Sequence, residues 1–172
     1  MIARPFSHVA VLNRGEAAVR FLRAARHWRR QHREPLRILA LYTHPDADAP
    51  FVRMASSALS LGDPLVPGDG GQLRSAYLDV ERVVSLAKAA GADALWPGWG
   101  FAAERPELPD ACEAHGLVFL GPPSDAMRLL GDKVAAKQLA DRIGVPVSPW
   151  SGGPVDEAQA AVVAAASGSR SC

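Results

Sequence analysis

Residues 8–28, HVAVLNRGEAAVRFLRAARHW, predict the first strand and the first helix of the fold. His8 to Leu12 form a short apolar run with two β-branched valines, which is typical of a strand buried in a parallel sheet. Asn13 to Glu16 then predict a turn. Beyond this turn, apolar residues recur at helical spacing and define one face of a helix: Ala18, Phe21, Leu22, Ala25 and Trp28.

The alternation of strand and helix continues to residue 120. Further apolar runs predict strands at Leu36–Tyr42, Ala58–Leu61, Ala94–Trp96 and Leu117–Leu120. Amphipathic spacing predicts helices at Asp79–Ala90 and Leu108–His115. This pattern indicates an α/β fold, a Rossmann-like parallel sheet with helices on both faces. Ligands of such sheets bind beyond the carboxyl ends of the strands, where three turns are predicted: Asn13–Glu16, Pro97–Phe101 and Gly121–Ser124.

Gly62–Ser75 is the longest stretch rich in glycine and proline. A loop of this length is uncommon inside a compact domain and is often functional or mobile. The stretch contains no lysine, so we do not interpret it as a phosphate-binding loop. Its role is left open.

The Gly131-Asp132-Lys133 step separates two further predicted helices within residues 121–150. Glycine just past a helix end predicts that the first helix stops at Gly131, and Asp132 predicts an N-cap for the second. Lys133 would then lie in a first turn, where the helix dipole disfavours cations. It is either a solvated surface lysine or a lysine beside open backbone N–H groups that bind a phosphate.

Composition restricts the classes of function. The 172 residues carry a formal net charge of +1 and 22% charged residues, so the total charge gives no support for nucleic-acid or membrane binding. No apolar run approaches the roughly 20 residues that cross a bilayer. Two cysteines, Cys112 and Cys172, suggest a reducing cytoplasm, and five scattered histidines predict no metal site.

Four segments, in order, carry a resemblance: residues 13–26 (NRGEAAVRFLRAAR), 92–108 (ADALWPGWGFAAERPEL), 118–137 (VFLGPPSDAMRLLGDKVAAK) and 144–152 (GVPVSPWSG). Together they resemble the N-terminal domain of biotin carboxylase, the ATP-dependent component of biotin-dependent carboxylases. The NRGE turn is similar to the bacterial and pyruvate carboxylase type, whereas the WPGWG, GPPSDAM, GDK and PWSG segments are similar to the multidomain acetyl-CoA carboxylases. This combination resembles a multidomain acetyl-CoA or acyl-CoA carboxylase. The resemblance implies a Rossmann-like domain over 1–120, a helical connection toward an ATP-grasp domain over 121–150, and an Ala-rich, disordered or marginally helical tail over 151–172.

The resemblance also assigns residues near a cleft. Lys133 matches the ATP-contacting lysine of the family's GDK motif. Gly98 and Gly100 match its glycine-rich turn, and Glu104 matches the motif glutamate. The usual Ser-Glu-Asn is Ala-Glu-Arg here, which weakens the case for this turn. The alternatives are a tight turn that needs positive φ at the glycines, and a solvated carboxylate at Glu104.

Arg20 and Arg23 form part of a basic stripe on the first predicted helix. The resemblance implies that this helix contributes to a homodimer interface. The alternatives are a solvated basic face and a nucleic-acid patch, and the near-neutral total charge weakens the second.

In the family, the full enzyme uses ATP, Mg²⁺ and bicarbonate to carboxylate biotin, with carrier and carboxyltransferase domains as partners. The metal ligands and the ATP-grasp lid would follow the present segment. We therefore expect this chain alone to bind no cofactor tightly and to be inactive. The rival hypothesis is a non-catalytic dimerisation or docking module.

Overall fold

A computed structural model describes residues 6–68, 70–148 and 150–166. The chain divides into two compact units, one ending at Ser124 and one beginning at Asp125. The predicted division at residue 120 lies near this boundary, although the three predicted regions as such stay a prediction. Each unit is described by itself.

The described part of the first unit contains seven strands: β1 His8–Val11, β2 Arg37–Tyr42, β3 Ser57–Ser60, β4 Leu65–Pro67, β5 Leu73–Ser75, β6 Ala94–Trp96 and β7 Val118–Phe119. Five of them form one parallel sheet in the order β3-β2-β1-β6-β7. The predicted parallel α/β sheet is therefore confirmed, and no end of its five strands differs from the predicted one by more than one residue.

The helices α1 Gly15–His32, α2 Pro50–Met54, α3 Val80–Ala89 and α4 Glu107–Ala114 flank this sheet. Alternate residues of each strand point to opposite faces. Val9 and Val11 therefore pack in one apolar cluster with residues of α1 and α2. Ala10 and Leu12 pack in the other cluster with residues of α3 and α4. Helices thus cover both faces, as the sequence predicted.

The predicted Gly62–Ser75 loop is largely a β-hairpin. Strands β4 and β5 pair antiparallel, with Val66 opposite Arg74. The backbone N–H of Gly68 donates to the carbonyl of Gln72 at 2.8 Å, and Gly71 has a φ of +78° that suits the turn. The glycines therefore reverse the chain between two short strands. Alternation over only three residues per strand is too short to show in the sequence.

The second unit contains α5 Ser124–Gly131, which begins at the boundary, α6 Lys133–Ile143 and α7 Glu157–Ala166. Asp132 caps α6, because its Oδ1 accepts from the backbone N–H of Ala135 at 2.7 Å. Gly131 is the last residue of α5, so that helix runs one residue further than predicted. The Ala-rich tail contains α7, and the rest of the tail, residues 167–172, lies outside the described residues.

Candidate functional site

The carboxyl ends of β1 and β6 form the candidate site. These strands are neighbours in the sheet, yet β1 leads to β2 on one side and β6 leads to β7 on the other. Such a reversal of strand order leaves a crevice beyond the carboxyl ends, where α/β proteins bind ligands. The turns that follow the two strands, Asn13–Glu16 and Pro97–Phe101, meet at this crevice.

Asn13 joins the two turns. Its side chain is buried, with 3% of its surface exposed. The Nδ2 group donates to the carbonyl of Pro97 at 2.7 Å and to that of Trp99 at 3.1 Å. The Oδ1 atom accepts from the backbone N–H of Arg14 at 2.8 Å. One amide therefore uses both donors and its acceptor to hold three backbone groups, so the position of the β6 turn depends on β1.

Gly98 fits closely beneath this amide. Its φ is +70°, and a Cβ atom there would lie 2.6 Å from Asn13 Nδ2 and 3.0 Å from the Trp96 ring. Gly100 also has positive φ, +67°, with open space around it. Both glycines thus have the positive φ that a tight turn at these positions needs. Their contribution to a ligand site remains a prediction.

Two aromatic side chains project from the same turn. Trp99 is 55% exposed and Phe101 is 51% exposed. The Trp99 ring meets Trp96 edge-on at 6.3 Å, and Phe101 lies 6.1 Å from Tyr77. Phe101 has a φ of +49°, a region that non-glycine residues rarely adopt. The turn therefore presents two apolar rings to its surroundings from a restrained backbone.

Charged and polar groups border the turn after β1. Arg14 Nε lies 3.3 Å from Asp46 Oδ2 in an ion pair that is half-exposed on the arginine side. The hydroxyl of Tyr77 donates to the carbonyl of Leu41 at 3.2 Å. Burial, and then the charge of Asp46, raise the pKa of Tyr77 above its usual range, so this hydroxyl stays protonated as a donor.

The remaining residues predicted in the first unit are not gathered at Asn13. Glu104 is exposed at the end of a short 3-10 turn, Phe101–Glu104. Arg20 is exposed on α1, and its Nε lies 2.7 Å from Glu16 Oε1. Arg23 is exposed one turn further along α1. These two arginines define a separate surface.

Lys133 belongs to the second unit, where it is the first residue of α6 and is exposed. One turn later, Lys137 Nζ donates to Ser148 Oγ at 3.2 Å and lies 5.5 Å from the centre of the Trp150 ring. Trp150 Nε1 donates to Asp141 Oδ2 at 2.9 Å. The segment after α6 therefore folds back along the helix that begins with Lys133.

The described residues contain neither a group of metal ligands nor a membrane-spanning helix. Within residues 6–68, 70–148 and 150–166, no three His, Cys, Asp or Glu side chains are grouped as metal ligands. No helix in these ranges is long and apolar enough to cross a membrane.

A sequence profile described as biotin carboxylase, N-terminal domain, matches residues 5–127. The chain belongs to this family. This biotin carboxylase N-terminal domain is 39% identical over 155 residues to acetyl-CoA carboxylase 2 of Oryza sativa subsp. japonica, a match of 88% of the chain and 6% of that protein. It is 37% identical over 155 residues to acetyl-CoA carboxylase 1 of Arabidopsis thaliana, covering 88% of the chain and 7% of the relative.

Among solved structures, the biotin carboxylase domain dimer of Hydrogenobacter thermophilus 2-oxoglutarate carboxylase superposes with a TM-score of 0.77 at 33% identity. The superposition covers 95% of the present chain and 33% of that chain, whose complex contains MgADP, ADP and bicarbonate. The biotin carboxylase domain of a single-chain bacterial carboxylase gives 0.76 at 35% identity, over 94% of this chain and 34% of that one. The chain thus spans about a third or less of the proteins that it resembles.

Sequence reasoning found the turns of the site but missed the residue that joins them. Asn13 is the only asparagine of the chain, and it directly follows a buried strand. Those two facts were the available signal, because a polar residue at a strand end beside a glycine-rich turn favours side-chain hydrogen bonds to backbone. The hydrogen bond from Lys137 to Ser148 had no comparable signal.

Proposed function

We propose that this chain forms the N-terminal part of an ATP-dependent ligase that carboxylates biotin with bicarbonate and supplies the carboxyl group to an acyl-CoA. The observation that supports it best is the Asn13 amide that joins the turns after β1 and β6, in a chain of the biotin carboxylase family. The 2-oxoglutarate carboxylase domain that contains MgADP and bicarbonate supports the same chemistry.

Lys133 is the residue that we assign to ATP. Its ammonium group is exposed at the start of α6, and the Asp132 cap fixes where that helix begins. The cap already occupies the N–H of Ala135, so the lysine side chain, more than the helix N-terminus, would attract a phosphate. A lysine ammonium suits a phosphate as a compact point charge.

The described residues do not fit the metal. Mg²⁺ prefers oxygen ligands that include carboxylates, and no group of three candidate ligands occurs in the described part of the chain. The chain spans 6% of the rice acetyl-CoA carboxylase and 33% of the 2-oxoglutarate carboxylase domain. We assign the Mg²⁺ and biotin sites to the ATP-grasp domain and the rest of the carboxylase, and expect the isolated chain to be inactive. Biotin carboxyl carrier and carboxyltransferase domains are the expected partners, in cytoplasmic fatty acid metabolism.

The test uses the carboxylase that contains this chain. We expect bicarbonate-dependent ATP hydrolysis, and we expect Lys133→Ala to raise the KM for ATP about tenfold or more, because a charge-assisted contact to phosphate is lost. Lys137→Ala is the matched control, since it removes a lysine from the same helix and loosens only the contacts to Ser148 and Trp150. An unchanged KM in Lys133→Ala removes this lysine from the site. Equal effects in both variants would indicate a general disturbance of α6.

A second candidate function is dimerisation or docking through α1. Arg20 and Arg23 are exposed on one helix, and a solved relative is a biotin carboxylase domain dimer. Light scattering of the chain tests this function. A dimer that Arg20→Glu dissociates, and that Arg142→Glu on α6 leaves intact, supports it. A chain that stays monomeric at high concentration contradicts it.

A further inference from the structure

The end of α1 carries a cluster of arginines that neither function uses. Arg26, Arg29, Arg30 and Arg33 line a surface cavity of about 570 Å³ together with Glu34 and Pro35, and we call this cavity the arginine pocket. The helix begins at the carboxyl edge of the sheet and ends at the opposite edge. The pocket is therefore separate from the crevice beside Asn13.

These arginines lie on the exposed side of the second half of α1 and at its end. Arg29 and Arg30 are three and four residues beyond Arg26 in the helix, and Arg33 is the C-cap residue with a φ of +52°. The apolar stripe continues beside them, because residues 25 and 28 belong to the cluster that packs on the sheet. The end of α1 therefore carries a cationic surface next to its apolar stripe.

The cluster carries unfavourable charge repulsion. Arginines spaced three or four residues apart on a helix are neighbours, and like charges at this spacing are destabilising. Arg29, Arg30 and Arg33 form no ion pair with any acidic residue of the described chain. Arg26 is held in place because its Nη2 donates to the carbonyl of Met54 at 2.6 Å.

The helix dipole explains only part of this arrangement. Cations are favoured in the last turn, which contains Arg29 and Arg30. The dipole effect falls off within that turn, so it does not account for Arg26, which also lines the pocket. Four arginines around one concavity are a better match for a multiply charged anion.

We propose that the arginine pocket binds a small molecule that carries a diphosphate group, as nucleoside diphosphates and coenzyme A do. Guanidinium groups bind phosphate oxygens in pairs, which suits adjacent phosphates. The cavity has the volume of a small-molecule site. Among its described lining residues Pro35 alone is apolar, so it lacks the pockets with which protein surfaces hold the side chains of a peptide.

Isothermal titration of the 172-residue chain with inorganic diphosphate tests the site, with orthophosphate as the single-phosphate comparison. A Lys133→Ala background excludes binding at that lysine. We expect diphosphate to bind at least tenfold more tightly than orthophosphate, and the affinity to fall as salt is added. Titrations with ADP and coenzyme A then distinguish the two sources of the diphosphate group.

The test is the double variant Arg29→Glu/Arg33→Glu, which should weaken diphosphate binding at least tenfold. The control is the double variant Arg82→Glu/Arg142→Glu, which changes the net charge equally at exposed arginines elsewhere and should weaken binding less than threefold. Equal losses in the two double variants, or no saturable binding at low salt, overturn the proposal. If Arg29→Glu/Arg33→Glu does not fold, NMR spectra of the folded parent chain with and without diphosphate test the site through the arginine Nε–Hε resonances. Shifts confined to the arginine pocket support the site, and shifts elsewhere or none overturn it.

Discussion

The two ends of the β1–β6 strand pair are joined by different chemistry. At the amino end, the Asp93 carboxylate accepts from the backbone N–H of Ser7 at 2.8 Å, from its hydroxyl at 2.9 Å and from the N–H of His8 at 2.7 Å. At the carboxyl end, the Asn13 amide donates to the carbonyls of Pro97 and Trp99. A charged acceptor holds one end, and a neutral donor holds the other.

The difference follows from what each end must bind. Backbone N–H groups are left over where β1 begins, and an ionised carboxylate is the strongest acceptor for them. Backbone carbonyls are left over after β6, and a buried amide can donate to two of them without introducing a charge. The stabilisation from the Asp93 contacts should therefore depend on pH, whereas that from the Asn13 contacts should not.

Gly98→Ala should have the largest effect. The new Cβ would lie 2.6 Å from Asn13 Nδ2, on a backbone with φ of +70°. Strain and overpacking together should lower the free energy of unfolding by about 3 kcal/mol, measured by urea denaturation. Gly91→Ala is the matched control, because φ is +80° and no atom lies within 4 Å of its Cβ position. It should cost about 1 kcal/mol. Equal costs would show that the close approach to Asn13 is unimportant.

Asn13→Asp should come next, with a loss of about 2 kcal/mol at pH 7. The carboxylate is isosteric but cannot donate, so two carbonyls lose their partner. Burial beside these carbonyls raises the pKa of the new carboxyl, so protonation restores a donor and stability should return as the pH falls. Urea denaturation between pH 7 and pH 4 measures this recovery.

In the unaltered chain, the single asparagine also allows selective ¹⁵N labelling. Fast solvent exchange of its side-chain amide would contradict the buried geometry.

Asp93→Asn should have the smallest effect, about 1 kcal/mol at pH 7, because this carboxylate is only partly buried. Burial tends to raise the pKa of Asp93, but the hydrogen bonds from His8 and Ser7 outweigh it and lower the pKa. The stabilisation is thus present above the unfolded value of about 4 and is lost as the pH falls through the lower folded value. The difference between the two proteins should vanish at low pH in urea denaturation. Asp48→Asn, at an exposed position, should change stability by less than about 0.5 kcal/mol.

The sheet could be predicted because its signals are local. Buried strands such as His8–Val11 appear as β-branched apolar runs, and α3 appears as a stripe of valine and alanine ended by glycine. The Asp132 cap was likewise predicted from one residue and its neighbours. In each case the physics that forms the element acts over a few residues.

Two of the contacts that sequence reasoning missed join separate parts of the chain. Asn13 and Pro97 are 84 residues apart, and Lys137 and Ser148 are 11 apart. A local sequence pattern does not indicate which backbone carbonyl will accept a hydrogen bond from a given side-chain amide. The hairpin at Gly62–Ser75 was missed for another reason, since three-residue strands fall below the length at which alternation is visible.

The 84-residue interval between Asn13 and Pro97 also matters while the chain is being made. Strands β1, β2 and β3 leave the ribosome first, and the edge of β1 then has no neighbour until β6 has been synthesised. At roughly 5 to 20 residues per second, that edge is uncovered for about 4 to 17 seconds. An open apolar strand edge invites pairing with other nascent chains. The central seam of the sheet thus closes long after its first strand has been made, and chaperone protection of β1 would be needed during that interval.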